Sequence, residues 1–410
     1  MARPKRESVF RHDEVGIAHC IQRCVRRAFL AGKDAASGKN YEYRREWIRH
    51  RMELLASAFG IDVLNYAVMS NHVHSVLRTR PDIVNVWSDE EVATRWLRLF
   101  PGKRLEDYLG EPTKQQIAKE LSDAKRMIEL RKRLSSISWF MRAVSEPIAR
   151  KANKEDNCTG RFWEGRFKAQ KIVDEAGLLA CAMYVDLNPV RAAMAECPEH
   201  SLFTSAHDRI HAQRGSQRIA AALEFEPARV DEESILQQME RAKVSRDKKE
   251  LARLQKCLGE LRKENQKFSD KKNATSKHTN APGLKPIDAW LAPLQINERD
   301  EVGPNPHTGG TRASDKGFLS MTLAEYSTLL DWTGREGRAD KRGKIPEDLQ
   351  PILERIGIEG SMWCDLVWRF SKYFGKSHAA GKPANLKKEA RTRNIAWSRG
   401  QRSCRACFTK

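Results

Sequence analysis

Val68-Met69-Ser70-Asn71-His72-Val73-His74-Ser75-Val76-Leu77 is the stretch from which the fold can be read. It is rich in Val, Met and Leu and free of Pro and Gly, the pattern of a buried strand. Side chains two apart on a strand share a face. His72 and His74 therefore stand side by side, with Val73 turned into a core. Two adjacent imidazoles on one rigid face offer two sites for a divalent metal. The same pair also fits a solvated sheet face, so its meaning depends on its surroundings.

Working outward, Ile61–Val68 reads as the preceding strand, joined to His72–Arg78 by a tight connection at Met69–Asn71. Upstream, Tyr43 to Phe59 has helical spacing in Trp47, Ile48, Met52, Leu55 and Phe59. Gly60 suits its C-terminus. Gly16 to Cys24 is a first strand, with Ile17, His19, Ile21 and Arg23 on one face. Downstream, Pro81 closes the unit and residues 88–134 form an inserted helix pair. Ile137–Ala152 is an amphipathic helix in which Pro147 predicts a kink or an early stop. Arg166–Val173 is a fourth strand, and Asp174 caps a helix running to about Leu187. The order strand, helix, strand, strand, helix, strand matches a split β-α-β unit. Such a ferredoxin-like unit is an α+β fold, an antiparallel sheet with helices on one face.

The chain has 410 residues, too many for one ordinary domain. Three parts are expected. Residues 10–215 hold the sheet and the chemistry, and are expected to suffice for it. Residues 216–283 are a basic helical segment, with Leu251, Leu254, Leu258 and Leu261 at coiled-coil-like spacing, and a polar linker. Residues 284–410 are a small helical domain with a basic tail, preceded by a flexible stretch at 297–317.

Lys and Arg number 74 against 54 Asp and Glu, for a net charge of +20. That surplus suits a polyanion. No run of about 18 apolar residues exists, which argues against a membrane span. No signal-like stretch follows the basic start. Nucleic acid is thus the expected partner, in a cytoplasmic setting. The nine cysteines are odd in number and show no paired framework, and the one CxxC, Cys404 to Cys407, lacks a second pair; all are expected as thiols.

Two further stretches bear on chemistry. Gly160-Arg161-Phe162-Trp163-Glu164-Gly165-Arg166-Phe167-Lys168 interleaves cations with rings, which suits a single strand or an ordinary amphipathic strand. Tyr184 and Asn188, in Tyr184-Val185-Asp186-Leu187-Asn188-Pro189-Val190-Arg191, are one helical turn apart. Pro189 places Asn188 at or near the helix end. A lone Tyr on an apolar helix also fits a core position.

Taken in order, the three motifs resemble the REP-associated tyrosine transposases, single-tyrosine members of the HUH endonuclease superfamily, over residues 10–210. The resemblance implies a divalent metal, Mg²⁺ or Mn²⁺, on His72 and His74, with Asn188 completing the shell where some relatives have Gln. It implies Tyr184 as the nucleophile on DNA. It further implies hairpin-forming repeats as substrate and a monomeric or homodimeric enzyme. Arg161, Trp163, Arg166, Lys168 and Arg191 are the DNA-binding candidates. The 88–134 insertion and nearly everything past 210 depart from the small members. A non-catalytic DNA-binding protein and a water-using metal hydrolase are the competing readings.

Overall fold

The computed structural model describes residues 10–25, 30–32, 38–101, 111–224, 239–240, 252–256, 258–259, 286–297, 303–336, 350–375, 377–394, 405 and 407–408. The coiled-coil-like stretch at 241–273 lies largely outside them, as do the polar linker at 269–283 and Cys404. The chain splits into two compact units, one of residues 1–210 with 288–410, the other of 211–287.

In the first unit β1 (Ile17–Arg23), β2 (Ile61–Val68), β3 (His72–Thr79), β4 (Lys168–Ile172) and β5 (Ala379–Ala380) form one sheet in the order β2-β3-β1-β4-β5. The first four have the antiparallel order of a split β-α-β unit, as the element order predicts. β5 differs: two residues from the C-terminal region add to β4 in parallel. The fold is α+β.

Strand alternation gives the sheet two different faces. Ala18, Cys20, Val63, Val73 and Leu77 pack against α1 (Arg44–Ala58) and, after α2 (Pro81–Val86), α3 (Asp89–Leu99), α4 (Lys114–Leu121) and α5 (Ala124–Leu134), against α6 (Ile137–Glu155). Pro81 starts a short helix rather than closing the unit, and the described residues of the 88–134 insertion hold three helices where two were expected. α6 runs through Pro147 without stopping. Proline cannot donate to the carbonyl four residues back, that of Ala143. Arg51 of α1 donates its Nε to that oxygen at 2.9 Å, so the orphaned acceptor is satisfied from the neighbouring helix.

Helices cover the opposite face too, which the one-sided expectation missed. Asp174 caps α7 (Glu175–Asp186) by accepting from Gly177 N at 2.8 Å. Every residue of α7 from Ala176 to Asp186 is buried. A helix apolar all round must be covered all round. Leu64, Ala67, Val76 and Ile172 of the sheet take one side of it. α10 (Leu323–Glu336), α12 (Gly360–Trp368) and α13 (Phe370–Phe374) take the other, after α8 (Asn188–Arg191), α9 (Ser205–Glu224) and with α11 (Gln350–Ile356) between α10 and α12. At Gly177 a Cβ would meet Ala380 O at 2.8 Å, so only glycine lets β5 lie this close.

The described residues of 288–410 therefore share the core of the unit that holds the sheet rather than forming a separate domain. Of the stretch expected to be flexible at 297–317, residues 303–317 are ordered. Ser314 donates to the buried Asp62 carboxylate, and Arg78, itself paired with Asp62, donates to the Gly317 carbonyl at 2.8 Å. α14 (Pro383–Thr392) lies in the basic tail. Cys20, Cys24, Cys158, Cys181, Cys197, Cys364 and Cys407 form no disulfide. No helix among the described residues is long and apolar enough to cross a membrane.

Arg209 donates to the carbonyls of Leu64 and Ala292 at 2.9 and 2.8 Å, which holds the two chain ends flanking 211–287 near each other. Replacing 211–287 with a short Gly/Ser linker should leave one cooperative melt, shifted by less than about 5 °C. A melt that broadens or falls further would show that the first unit needs the second.

Candidate catalytic site

Alternation along β3 turns His72 and His74 toward α7, with ring centroids 4.7 Å apart. Val73 points into the α1/α6 core. The β1–β3 register sets Ile21 opposite His74 and Arg23 opposite His72, which brings His19 onto the same face. His19 Nε2 lies 2.8 Å from His74 Nδ1, and the two rings stack 5.1 Å apart.

Burial pushes the His72 imidazole down to about 4, with Arg23 adding to the effect, and His19 down to about 3, with His72 adding. Burial also holds His74 well below its ordinary range, with lesser contributions from His19, His72 and Arg191. All three rings are thus neutral near pH 7. His72 Nδ1 donates to Asn71 Oδ1, which leaves its Nε2 lone pair for a ligand. His19 Nε2 and His74 Nδ1 share one proton, and the tautomer in which His74 is the donor leaves His74 Nε2 as an acceptor. His74 Nε2 is buried with no hydrogen-bond partner, an expensive state unless something binds there.

Tyr184 projects from α7 against this pair. Its ring centroid is 5.6 Å from that of His74 and 6.0 Å from that of His19, both edge-on. Phe370 stacks on its other side at 5.0 Å, and its hydroxyl shares a hydrogen bond with Ser371 Oγ at 3.2 Å. The Arg191 guanidinium lies 5.0 Å from the Tyr184 ring and 5.8 Å from that of Trp368.

His72, His74 and Tyr184 line a cleft of about 520 Å³ together with Arg23, Asn71, Glu164, Arg166 and Lys168. Three cations face one carboxylate there, a rim that suits phosphate. Of the other predicted site residues, Arg166 and Lys168 reach this cleft and Arg191 reaches the tyrosine. Arg161 is exposed outside it. Trp163 is not among the residues lining this cleft: its indole donates to Ser145 O at 2.7 Å and its ring meets Phe162 edge-on. Asn188 opens α8, buried, its amide nitrogen without a partner, and is not among the cleft-lining residues.

Among the described residues no three His, Cys, Asp or Glu side chains form a metal cluster. The donor set is two imidazoles, which leaves the remaining positions of a divalent ion to phosphate oxygens, water or an amide. The orphaned His74 Nε2 and the free Nε2 of His72 fit such an ion, with His74 donating its Nδ1 proton to His19. Sequence reasoning placed His19 on the right face but gave it no role, because only the strand register shows which histidine it meets. Glu164, Phe370 and Ser371 carried no signal.

No family model and no curated protein matches this chain. Among solved structures it is similar to a REP-associated tyrosine transposase bound to a REP hairpin, with a TM-score of 0.30 and 12% identity over 52% of this chain and 87% of that one, a likeness too low to carry weight on fold or function.

Proposed function

We propose that this protein is a metal-dependent, site-specific single-strand DNA endonuclease and strand transferase, a transposase acting through Tyr184 on hairpin-forming repeats. The observation that carries the reading is two neutral, buried imidazoles with available Nε2 atoms beside a tyrosine, in a cation-rimmed cleft. His72 and His74 would hold a Mg²⁺ or Mn²⁺ ion, which when bound polarises the scissile phosphate. Arg23, Arg166 and Lys168 draw the strand's phosphates into the cleft. The Tyr184 oxygen attacks phosphorus as its proton departs, forming a phosphotyrosine and releasing a 3′-oxygen that takes up a proton from water. Phe370 and Ser371 hold the ring in place before a strand arrives. The stored phosphoester lets a second 3′-hydroxyl reverse the step, which is strand transfer.

The test is incubation of the protein with Mn²⁺ and labelled single strands containing hairpins from the DNA flanking its gene. A denaturant-stable protein–DNA band that chelator abolishes is expected. Strand binding with no adduct under any condition would favour a DNA-binding protein without catalysis, and cleavage without adduct a water-using hydrolase.

His19 is a positioning residue in this scheme, because its Nε2 accepts from His74 Nδ1 and so aims His74 Nε2. His19→Phe keeps a ring in the stack and removes the acceptor. Mn²⁺ affinity of the free protein, read by titration, should fall about 10- to 100-fold. Unchanged affinity would show that His74 needs no such support.

A further inference from the structure

A second cleft, of about 680 Å³, lies where the end of α5 and the start of α6 meet the N-terminal residues and β4. Arg11, Lys132, Arg133 and Arg166 line it, with the rings of Trp139 and Phe167. One carboxylate, Glu129, faces these four cations, and it is held by Arg133 at 2.8 Å. Arg11 is shared with Asp13 and Glu14. Lys132 and Arg166 have no acidic partner among the described residues. The α6 N-terminus opens here and adds the positive end of its dipole, with Ser136 making no side-chain cap bond.

Arg166 lines both this cleft and the one holding His72, His74 and Tyr184. Alternation along the chain explains the join: Phe167 and Ala169 turn to the second cleft, while Lys168 turns to the first. The edge of β4 is open at this point, since β5 pairs only with Lys171 and Ile172.

Cations for a backbone, rings for bases and continuity with a cation-lined cleft are the requirements of a single-strand track. On the reading of the first cleft as a single-strand nuclease site, we propose that the strand crosses β4 at Arg166 and that the nucleotides flanking the reacting phosphate seat in the second cleft, on Lys132, Arg133, Trp139 and Phe167. This cleft then contributes affinity and strand direction, not chemistry. Arg133 sits 4.4 Å from the Trp139 ring in the free protein and can turn to a phosphate as a base takes its place.

The experiment uses the full chain, without metal, and a fluorescent twenty-residue oligothymidylate. Lys132→Glu touches an exposed side chain with no partner, so the fold should be kept, as an unchanged melt will show. Its affinity should fall tenfold or more, and the slope of log affinity against log salt should become shallower by about one. Lys114→Glu, on α4 outside both clefts, makes the same change in net charge and should stay within threefold of the unmutated protein. Equal losses in the two variants, or no loss in Lys132→Glu, would overturn the proposal. Displacement of the strand from the second cleft by polyglutamate of equal charge would assign it to an acidic peptide and overturn it as well. Because the assay needs neither metal nor cleavage, Lys132-dependent binding without any covalent adduct would remove the nuclease reading and leave this cleft standing.

Discussion

Tyr184→Phe should abolish covalent attachment to DNA and lower strand cleavage about 10³-fold or more, while strand affinity stays within roughly threefold. The substitution removes one oxygen. It forfeits the hydrogen bond to Ser371 Oγ, which is worth about 1 kcal/mol. The ring keeps its stack on Phe370 and its edge contacts with His19 and His74, so packing should hold. Affinity rests on Arg23, Arg166 and Lys168, which the change does not touch. Gel separation of the adduct and fluorescence binding on the same preparation measure both quantities. An adduct of normal yield would mean that another residue is the nucleophile.

Truncation at residue 215 should destroy the fold, although the sequence suggests a self-sufficient unit there. The C-terminal residues Phe318, Leu319, Tyr326, Leu329, Leu330, Trp363, Leu366 and Phe370 are buried in one core with α7. Each contributes about 1.5–3 kcal/mol by leaving water, so their combined loss matches or exceeds the roughly 5–15 kcal/mol by which domains are stable. Polar losses add to this. Asp186, whose carboxyl burial pushes up, would lose the hydrogen bond it accepts from Tyr326 at 2.6 Å. Asp62 would lose Ser314. The 1–215 fragment is expected to lack a cooperative melt and to bind a hydrophobic dye. A sharp melt from that fragment would show that α7 can be covered in some other way.

The split β-α-β frame was legible because alternation at Ile17–Arg23, Ile61–Val68 and His72–Thr79, and helical spacing around Met52 and Val144, are local signals. Strand order followed from the element order. What covers α7 was not legible. Its uniform apolarity from Ala176 to Val185 says that something must lie on both sides, but not that the partner comes from beyond residue 288. β5 is two alanines long and has no pattern to read. That the helix would continue past Pro147 was not legible, because the compensating donor, Arg51, is 92 residues from Ala143. At the site, His72, His74 and Tyr184 converge as their spacing and the resemblance suggest. The His19–His74 bond depends on cross-strand register, and the Phe370–Ser371 contact on tertiary packing, neither of which a single sequence displays.

The most direct measurement is the identity of the residue that carries DNA after reaction. The adduct formed with Mn²⁺ is digested with protease and nuclease, and the peptide bearing a nucleotide 5′-phosphate is sequenced by mass spectrometry. The structure narrows the rivals. Tyr66 is buried on the α1/α6 side of the sheet, its hydroxyl donating to Asp208 at 2.7 Å. Tyr108 lies outside the described residues. The account predicts the modification on Tyr184. A nucleotide on any other residue, or cleaved DNA whose 5′-phosphate is never attached to protein, would contradict it.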